Sequence, residues 1–276
     1  MTQLATRSDV GALLRGWRQR RRLSQLELSC ETGVSTRHLS FLETGRARPS
    51  REMVLHLAEQ LDVPLRARNE LLLAAGFAPA FPERALADPG LTPLREAVGL
   101  VLTGFEPYPA IAVDRSWHLL AGNRAVDVLT AGIAPDLLEP PVNVLRLSLH
   151  PRGMAPRILN LAQWRSHLLH RLAREAGITA DPELAALHTE LTALPGGGDT
   201  SAPNDIAVPL LLRHVGTHPR SGARTETDLS LLSTVTTFGT AVEITAAELS
   251  IEAFLPADPR TAAALRALVG RADGGS

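Results

Sequence analysis

Lysine is absent from this 276-residue chain; all 28 of its Lys/Arg positions are arginine. A P-loop therefore cannot be completed, because its lysine is the residue that reaches the phosphates, and Schiff-base chemistry lacks its amine. Cysteine is nearly as scarce. Cys30 stands alone, which excludes an intrachain disulfide, a CxxC redox pair and a cysteine-rich zinc site, and leaves it to read as a small buried residue of a helix. There is no apolar run of about 18 residues that could span a bilayer. Arg7, Asp9 and Arg15 interrupt the first twenty residues, where a secretory signal needs an unbroken apolar region, so the expectation is a cytoplasmic protein with no membrane partner. A Gly-x-Ser-x-Gly elbow is missing too, and the pairs His167/His170 and His214/His218 have no third metal ligand at a recognisable spacing. The expectation is no enzyme, no metal and no cofactor.

What is present has to be read in two halves. The formal charge of the whole chain is -1, which on its face argues against a nucleic-acid partner. Residues 1–76, however, hold 12 Arg against 8 acids (+4), while residues 77–276 hold 16 Arg against 21 acids (-5). Two oppositely charged domains cancel in the sum. The seam falls at Gly76-Phe77-Ala78-Pro79-Ala80-Phe81-Pro82 and Asp88-Pro89-Gly90, where prolines break any helix. The expected division is a domain at 1–78, a linker at 79–92 and a second domain at 93–276.

The N-terminal part reads as five short helices. From Asp9 to about Arg22 the apolar residues Leu13, Leu14 and Trp17 recur at helical spacing, with Arg15, Arg18, Arg20, Arg21 and Arg22 as an exposed basic face. Ser24 with Glu27 three residues later makes a capping box for a second helix, which Gly33 ends. After Gly33-Val34, Ser35 caps a third helix running to about Glu43. Two short helices joined by so tight a turn cross steeply, the helix-turn-helix arrangement. Leu28, Val34, Leu39 and Leu42 face the first helix and Val54, Leu57 and Leu61 of a fourth. Thr36, Arg37 and Ser40 point away from that core. In such a motif the first residues of its second helix reach base edges in the major groove, and Arg37 is suited to a bidentate contact with guanine. Gln25, Arg46 and Arg48 are placed for phosphates. Capped helix pairs of this kind also occur in proteins that touch no DNA; the +4 charge favours the DNA-binding reading.

In the second half, Ile111–Asp114 and Trp117–Gly122 read as two strands of a hairpin, followed by helical character from Asn123 to Leu129. Helices are expected at about Pro156–Ala176 and Pro182–Leu194, then a Gly-rich loop over 195–204. Val208–Val215, Leu229–Phe238 and Leu249–Leu255 read as strands, with a final helix from about Asp258 and a glycine tail. The sum is an antiparallel sheet of about five strands with helices over one face.

Specific runs add a resemblance. Ser24-Gln25-Leu26-Glu27-Leu28-Ser29, Thr32-Gly33-Val34-Ser35 and Leu42-Glu43-Thr44-Gly45-Arg46 resemble the lambda-repressor-like helix-turn-helix of the xenobiotic-response-element (XRE) regulator family. The run Ser35 to Met53, with Leu61–Asn69 and Leu71–Pro79, resembles the branch of that family that carries a C-terminal MmyB-like ligand-binding domain. In the second half, Val113-Asp114-Arg115 with Trp117, Asn123-Arg124-Ala125, Asn143-Val144-Leu145-Arg146, His150-Pro151-Arg152 and Trp164 follow the pattern. Gly122, where relatives carry tryptophan, and the polar strand Ser233–Thr237 depart from it. The resemblance implies an N-terminal all-α, five-helix domain and a C-terminal α/β, PAS-like domain holding a small apolar ligand such as a fatty acid. It implies a transcriptional regulator that binds double-stranded operator DNA, with a homodimer as its expected state. Candidate residues for a ligand pocket are Trp164, Leu168 and Phe238 as apolar wall, and Arg152, His167 and Arg171 for an anionic head group. The alternative is a C-terminal domain that only dimerises or docks a protein, without ligand.

Overall fold

The computed structural model describes residues 9–196, 208–217, 223–239 and 241–272. Arg7, most of the Gly-rich loop, His218 and the tail 273–276 lie outside those residues. The chain divides into two compact units, one running to Arg84 and including 177–179 and 240–247, the other made of the remainder.

The first unit contains α1 (Val10–Arg20), α2 (Gln25–Thr32), α3 (Thr36–Glu43), α4 (Arg51–Gln60) and α5 (Leu65–Ala74), with a short α11 (Ile244–Ala247) packed on α5. Each of the first four helices starts with a side-chain cap: Asp9, Ser24, Ser35 and Ser50 accept from backbone N–H groups that have no intrahelical partner. Leu14, Trp17, Leu28, Leu39, Leu42, Val54, Leu57, Leu61 and Leu71 form the buried interior. Val34 is half-buried at its margin. The backbone after α5 stays with this unit. Asn69 receives Ala80 N–H at 2.9 Å and donates to the Phe81 carbonyl at 2.7 Å, Arg66 pairs with Glu83 at 2.6 Å, and Ile244 N–H donates to Pro82 at 2.9 Å.

Two details of this unit differ from the sequence-based expectation. Cys30 is exposed, because α2 is short and Leu28 alone of its residues is buried. Arg18 is not part of a solvated basic face. It is only 8 % exposed and forms a two-pronged ion pair with Glu43 of α3, Nε to Oε1 at 2.6 Å and Nη2 to Oε2 at 2.9 Å. Its Nη1 donates to the Leu23 carbonyl at 2.7 Å, and Gln25 Nε2 donates to Glu43 Oε2 at 2.9 Å. One carboxylate thus ties together α1, the first residue of α2, and α3, while Arg18 also holds the turn before α2. Gly11 makes the approach possible, since a Cβ there would lie 2.3 Å from the Leu42 carbonyl oxygen.

The second unit is built on one antiparallel sheet, order β2-β1-β5-β4-β3, from β1 (Ala110–Val113), β2 (Leu119–Gly122), β3 (Leu210–Thr217), β4 (Arg224–Thr237) and β5 (Ser250–Pro256). The long β4 pairs with β3 through its first half and with β5 through its second, which curls the sheet into a half-barrel. The large core lies on the face presenting Ile111, Val113, Leu210, Leu212, Leu229, Leu231 and Phe254. It is covered by α7 (Asp127–Thr130), α8 (Val144–Leu149), α9 (Leu161–Thr179), α10 (Pro182–Ala193) and α12 (Pro259–Ala272). The opposite face is covered as well, contrary to the one-sided expectation. There α6 (Thr92–Gly104) sets Val98 and Leu102 against Ala110, Ala112, Ile251 and Ala253. The sequence carries that helix as Leu94, Val98, Val101 and Leu102, just beyond the proline-rich seam. Helix α9 starts at Leu161 rather than near Pro156, because Ile158 bridges Leu212 and Asn160 uses its side chain on the Pro209 carbonyl and Leu211 N–H.

Removing one member of the buried pair should be costly, because it strands a desolvated charge. Arg18→Met is expected to lose about 3–5 kcal/mol in chemical denaturation, and Arg18→Met/Glu43→Leu to regain most of it. Acid should act on the same bond. Burial pushes the Glu43 pKa up, but the hydrogen bonds from Arg18 and Gln25 and the Arg18 charge outweigh it and hold the carboxyl below its ordinary value of 4.5. A depressed pKa contributes stability above the unfolded value that is lost as pH falls through the folded one. Denaturation of the parent between pH 7 and 3 should therefore show a loss of stability below about pH 4.5 that Glu43→Gln, already weaker at neutral pH, does not share.

Candidate DNA-reading face and apolar cavity

The exposed end of the helix-turn-helix is assembled by local rules. Ser24 and Glu27 complete their reciprocal capping box, at 3.1 and 2.6 Å. Gly33 closes α2 in the left-handed region, φ 69°, which a residue with a Cβ enters at a cost. Ser35 then caps α3 through His38 N–H at 3.3 Å. The first turn of α3 carries Thr36, half-buried, and Arg37, exposed, with Ser40 one turn further on, half-buried. The Arg37 guanidinium lies 5.4 Å over the Phe41 ring, a contact that steadies a long side chain without using its hydrogen-bond donors. Arg46 and Arg48 are exposed in the turn into α4, where Gly45 at φ 70° reverses the chain and Arg46 N–H donates to the Phe41 carbonyl at 2.8 Å. Among the described residues no carboxylate pairs with Arg37, Arg46 or Arg48. Gln25 differs from the other five candidates, because its amide nitrogen is engaged by Glu43.

In the second unit an apolar cavity of about 60 Å³ lies between the sheet and helices α8 and α9. Ile111, Leu145, Met154, Trp164, Leu168 and Phe254 supply apolar wall, and Thr130, Ser148 and Glu252 are its polar members. Trp164 Nε1 donates to Ser148 Oγ at 3.0 Å, both buried, which fixes the indole against the cavity. The six candidate ligand residues are not brought together. Trp164 and Leu168 line this cavity, whereas His167 and Arg171 line a separate polar cleft of about 230 Å³ with His170 and Arg174. Arg152 is at the surface, paired with Asp136 at 2.6 Å. Phe238 packs on the other face of the sheet with the α6 cluster, and Phe254 takes the wall position foreseen for it. Gly122 is exposed, and a Cβ there would come within 3.0 Å of Val126 Cγ2, so a bulky residue would press on a cavity-lining side chain.

The wall between cavity and cleft is ionic. Glu252 of β5, only 4 % exposed, accepts from Arg171 of α9 at 3.0 Å. Arg171 also lies 4.4 Å over the Trp117 ring, whose Nε1 donates to Glu175 at 3.2 Å. Burial raises the Glu175 pKa despite that hydrogen bond and the Arg171 charge. His167, stacked on Trp164 with ring centroids 5.4 Å apart, has its pKa lowered by burial first and by the Arg171 charge second, so it is neutral at pH 7. Glu252 was absent from the sequence-based candidates. The available signal was a lone acid in Ser250-Ile251-Glu252-Ala253-Phe254, on the strand parity of Phe254 rather than of Ile251 and Ala253. No three histidine, cysteine or carboxylate side chains gather as metal ligands among the described residues, and none of their helices is long and apolar enough to cross a membrane.

A basic helix-turn-helix unit in one chain with a half-barrel unit holding an apolar cavity is the architecture expected of a transcription regulator with a ligand-binding domain. A helix-turn-helix domain family matches residues 9–71, and the MmyB-like transcription regulator ligand binding domain matches residues 94–268. The chain belongs to this MmyB-like family of helix-turn-helix transcription regulators. Uncharacterised HTH-type transcriptional regulators of Mycobacterium tuberculosis and Mycobacterium bovis are each 37 % identical over 70 residues, 25 % of this chain and 27 % of theirs. The chain thus spans about a quarter of the curated relatives it matches. A solved RNA-binding light-oxygen-voltage receptor aligns over 97 % of this chain and 63 % of its own at 15 % identity, with a TM-score of 0.21.

Leu168→Ala should enlarge the cavity and cost about 2–5 kcal/mol. Thermal unfolding with and without saturating benzene is the check: the midpoint falls in the variant and is partly restored by the apolar guest.

Proposed function

We propose that this regulator binds a specific operator as a homodimer through α3, and that its C-terminal unit senses a small apolar or fatty-acid-like molecule held in the cavity. The observation that carries the DNA half is the outward face of α3, where Arg37 is exposed and, among the described residues, has no carboxylate partner, flanked by Arg46 and Arg48 in the same state. Arg37 reads a guanine edge, Thr36 and Ser40 contact neighbouring base edges, and Arg46 and Arg48 hold phosphates. A dimer sets two such helices about one turn of DNA, roughly 34 Å, apart. Ligand alters operator affinity only by the difference in its affinity for the two dimer geometries.

The modest cavity, about 60 Å³, favours giving weight to a second reading in which the C-terminal unit only dimerises or docks a protein. Native mass spectrometry of the purified chain separates the two, since it reports both the dimer and any retained small molecule. A dimer with no ligand, and no stabilisation by any apolar compound, speaks for the second.

Arg37→Ala is expected to cost about 1–3 kcal/mol on the preferred operator and to relax base preference at one position. Arg46→Ala should instead weaken all sequences alike and reduce the slope of log K against log salt by about 1. Fluorescence-anisotropy titrations at several salt concentrations distinguish these outcomes, and unchanged binding in both variants would remove the assignment.

A further inference from the structure

We propose that Arg157 anchors an anionic head on the ligand: a carboxylate binds its buried guanidinium while the attached apolar chain occupies the cavity. This rests on the cavity being the ligand site and assigns the residue that meets the head group there. Arg157, in the short turn Ala155–Arg157 between α8 and α9, donates from Nη2 to the Leu129 carbonyl of α7. Its Nε and Nη1 are buried and, among the described residues, have no hydrogen-bond partner. Burial, with no carboxylate to offset it, pulls the pKa below its ordinary value. Arginine stays charged all the same. The chain therefore carries a desolvated cation whose Nε and Nη1 donors are unused, a costly state that an anion relieves.

The guanidinium sits at one end of the cavity. Leu129, whose carbonyl it holds, lines the cavity, and so does Met154, whose carbonyl accepts the Arg157 N–H at 2.8 Å. His214 of β3 is its neighbour, with Nδ1 3.3 Å from the Val128 carbonyl and a pKa lowered by burial first and by the Arg157 charge as well. The one acid among the described lining residues, Glu252, belongs to β5. Strand β4 separates β5 from β3, which puts about 10 Å between the two strands. A carboxylate at Arg157 therefore meets a cation and stands clear of Glu252. The cations expected from the sequence to take this role are engaged elsewhere: Arg152 holds Asp136 at the surface, and Arg171 holds Glu252 at 3.0 Å. Space limits the chain. A cavity of about 150 Å³ holds benzene, so one of about 60 Å³ takes about two or three carbons.

The test uses probes cut to that space on the full chain at pH 7: propionate, its neutral isostere propionamide, and formate, which has the head without the chain. Binding is followed through the methyl resonances of Leu129 and Met154 and the imidazole resonances of His214. Saturable shifts at all three residues with propionate, at an affinity at least about tenfold above those of propionamide and formate, are the expected result. In Arg157→Met propionate should fall to the level of propionamide, whereas Arg174→Met, in the separate cleft, should keep the full preference. Propionate no tighter than propionamide on the parent chain, or binding that leaves His214 unmoved, overturns the anchor while leaving the cavity as ligand site, and both are read without any variant. A preference that survives Arg157→Met, or is lost in Arg174→Met, overturns it as well. Formate as tight as propionate reduces the site to one for a free anion, and the linked head and chain fall with it. No shift with any of the three overturns the cavity reading itself, and this inference with it.

Discussion

A guanidinium and a carboxylate removed from water together, Arg18 and Glu43, set the geometry on which the reading head depends. Each ion alone would be penalised by several kcal/mol, and their attraction repays that only when the remaining donors and acceptors are satisfied. Here they are: the second guanidinium nitrogen shares the carboxylate, the third reaches the Leu23 carbonyl, and Gln25 completes the acceptor side. The bond is therefore directional as well as strong, and it fixes the last residue of α3 against α1 while the first turn of α3 faces outward. Gly11 is the steric counterpart, since no larger residue fits between α1 and the Leu42 carbonyl.

The same device recurs in the second unit, and it explains why a chain without lysine is not handicapped. Arg115 joins Asp181, Glu183 at 3.1 Å and Glu248 at 3.8 Å, gathering the β1–β2 turn, the start of α10 and the approach to β5. Buried Arg165 of α9 donates to Thr192 at 2.7 Å near the C-terminus of α10, where carbonyls lack intrahelical donors. Arg171 binds a carboxylate with its edge and an indole with its face. These roles need a planar fork with several fixed donors; a point-charge ammonium on a flexible stem fills one of them at a time.

What could be read from the sequence divides along sequence separation. The capping box of Ser24 and Glu27, the glycine stop at Gly33 and the Ser35 cap act within four residues, so the helix-turn-helix and its outward residues were legible from composition and spacing alone. Arg18 and Glu43 are 25 positions apart, and nothing local marks either as buried; an arginine among arginines reads as solvated face. Strand parity was the second limit. Phe238 directly follows β4 and Phe254 lies within β5, and only the pairing of Thr237 with Ser250 and of Ser233 with Phe254 decides which one meets the cavity. Helix α6 was hidden by its position, since prolines before it read as linker and its apolar stripe begins within five residues of Pro89.

Glu252 has one further consequence, for the way β5 is seated between β1 and β4. Its neighbours Ile251 and Ala253 face the α6 layer, while Glu252 and Phe254 face the large core. Side chains alternate strictly along a strand, so a slip by one residue would exchange these sets. The carboxylate would enter a layer of valine, leucine, isoleucine and alanine and lose its pairing with Arg171, and Phe254 would leave the cavity wall. A central strand of aliphatic residues alone would tolerate such a shift more easily. The single acid works as an alignment key: it makes the wrong seating of β5 expensive during folding, and so guards the fidelity of the sheet.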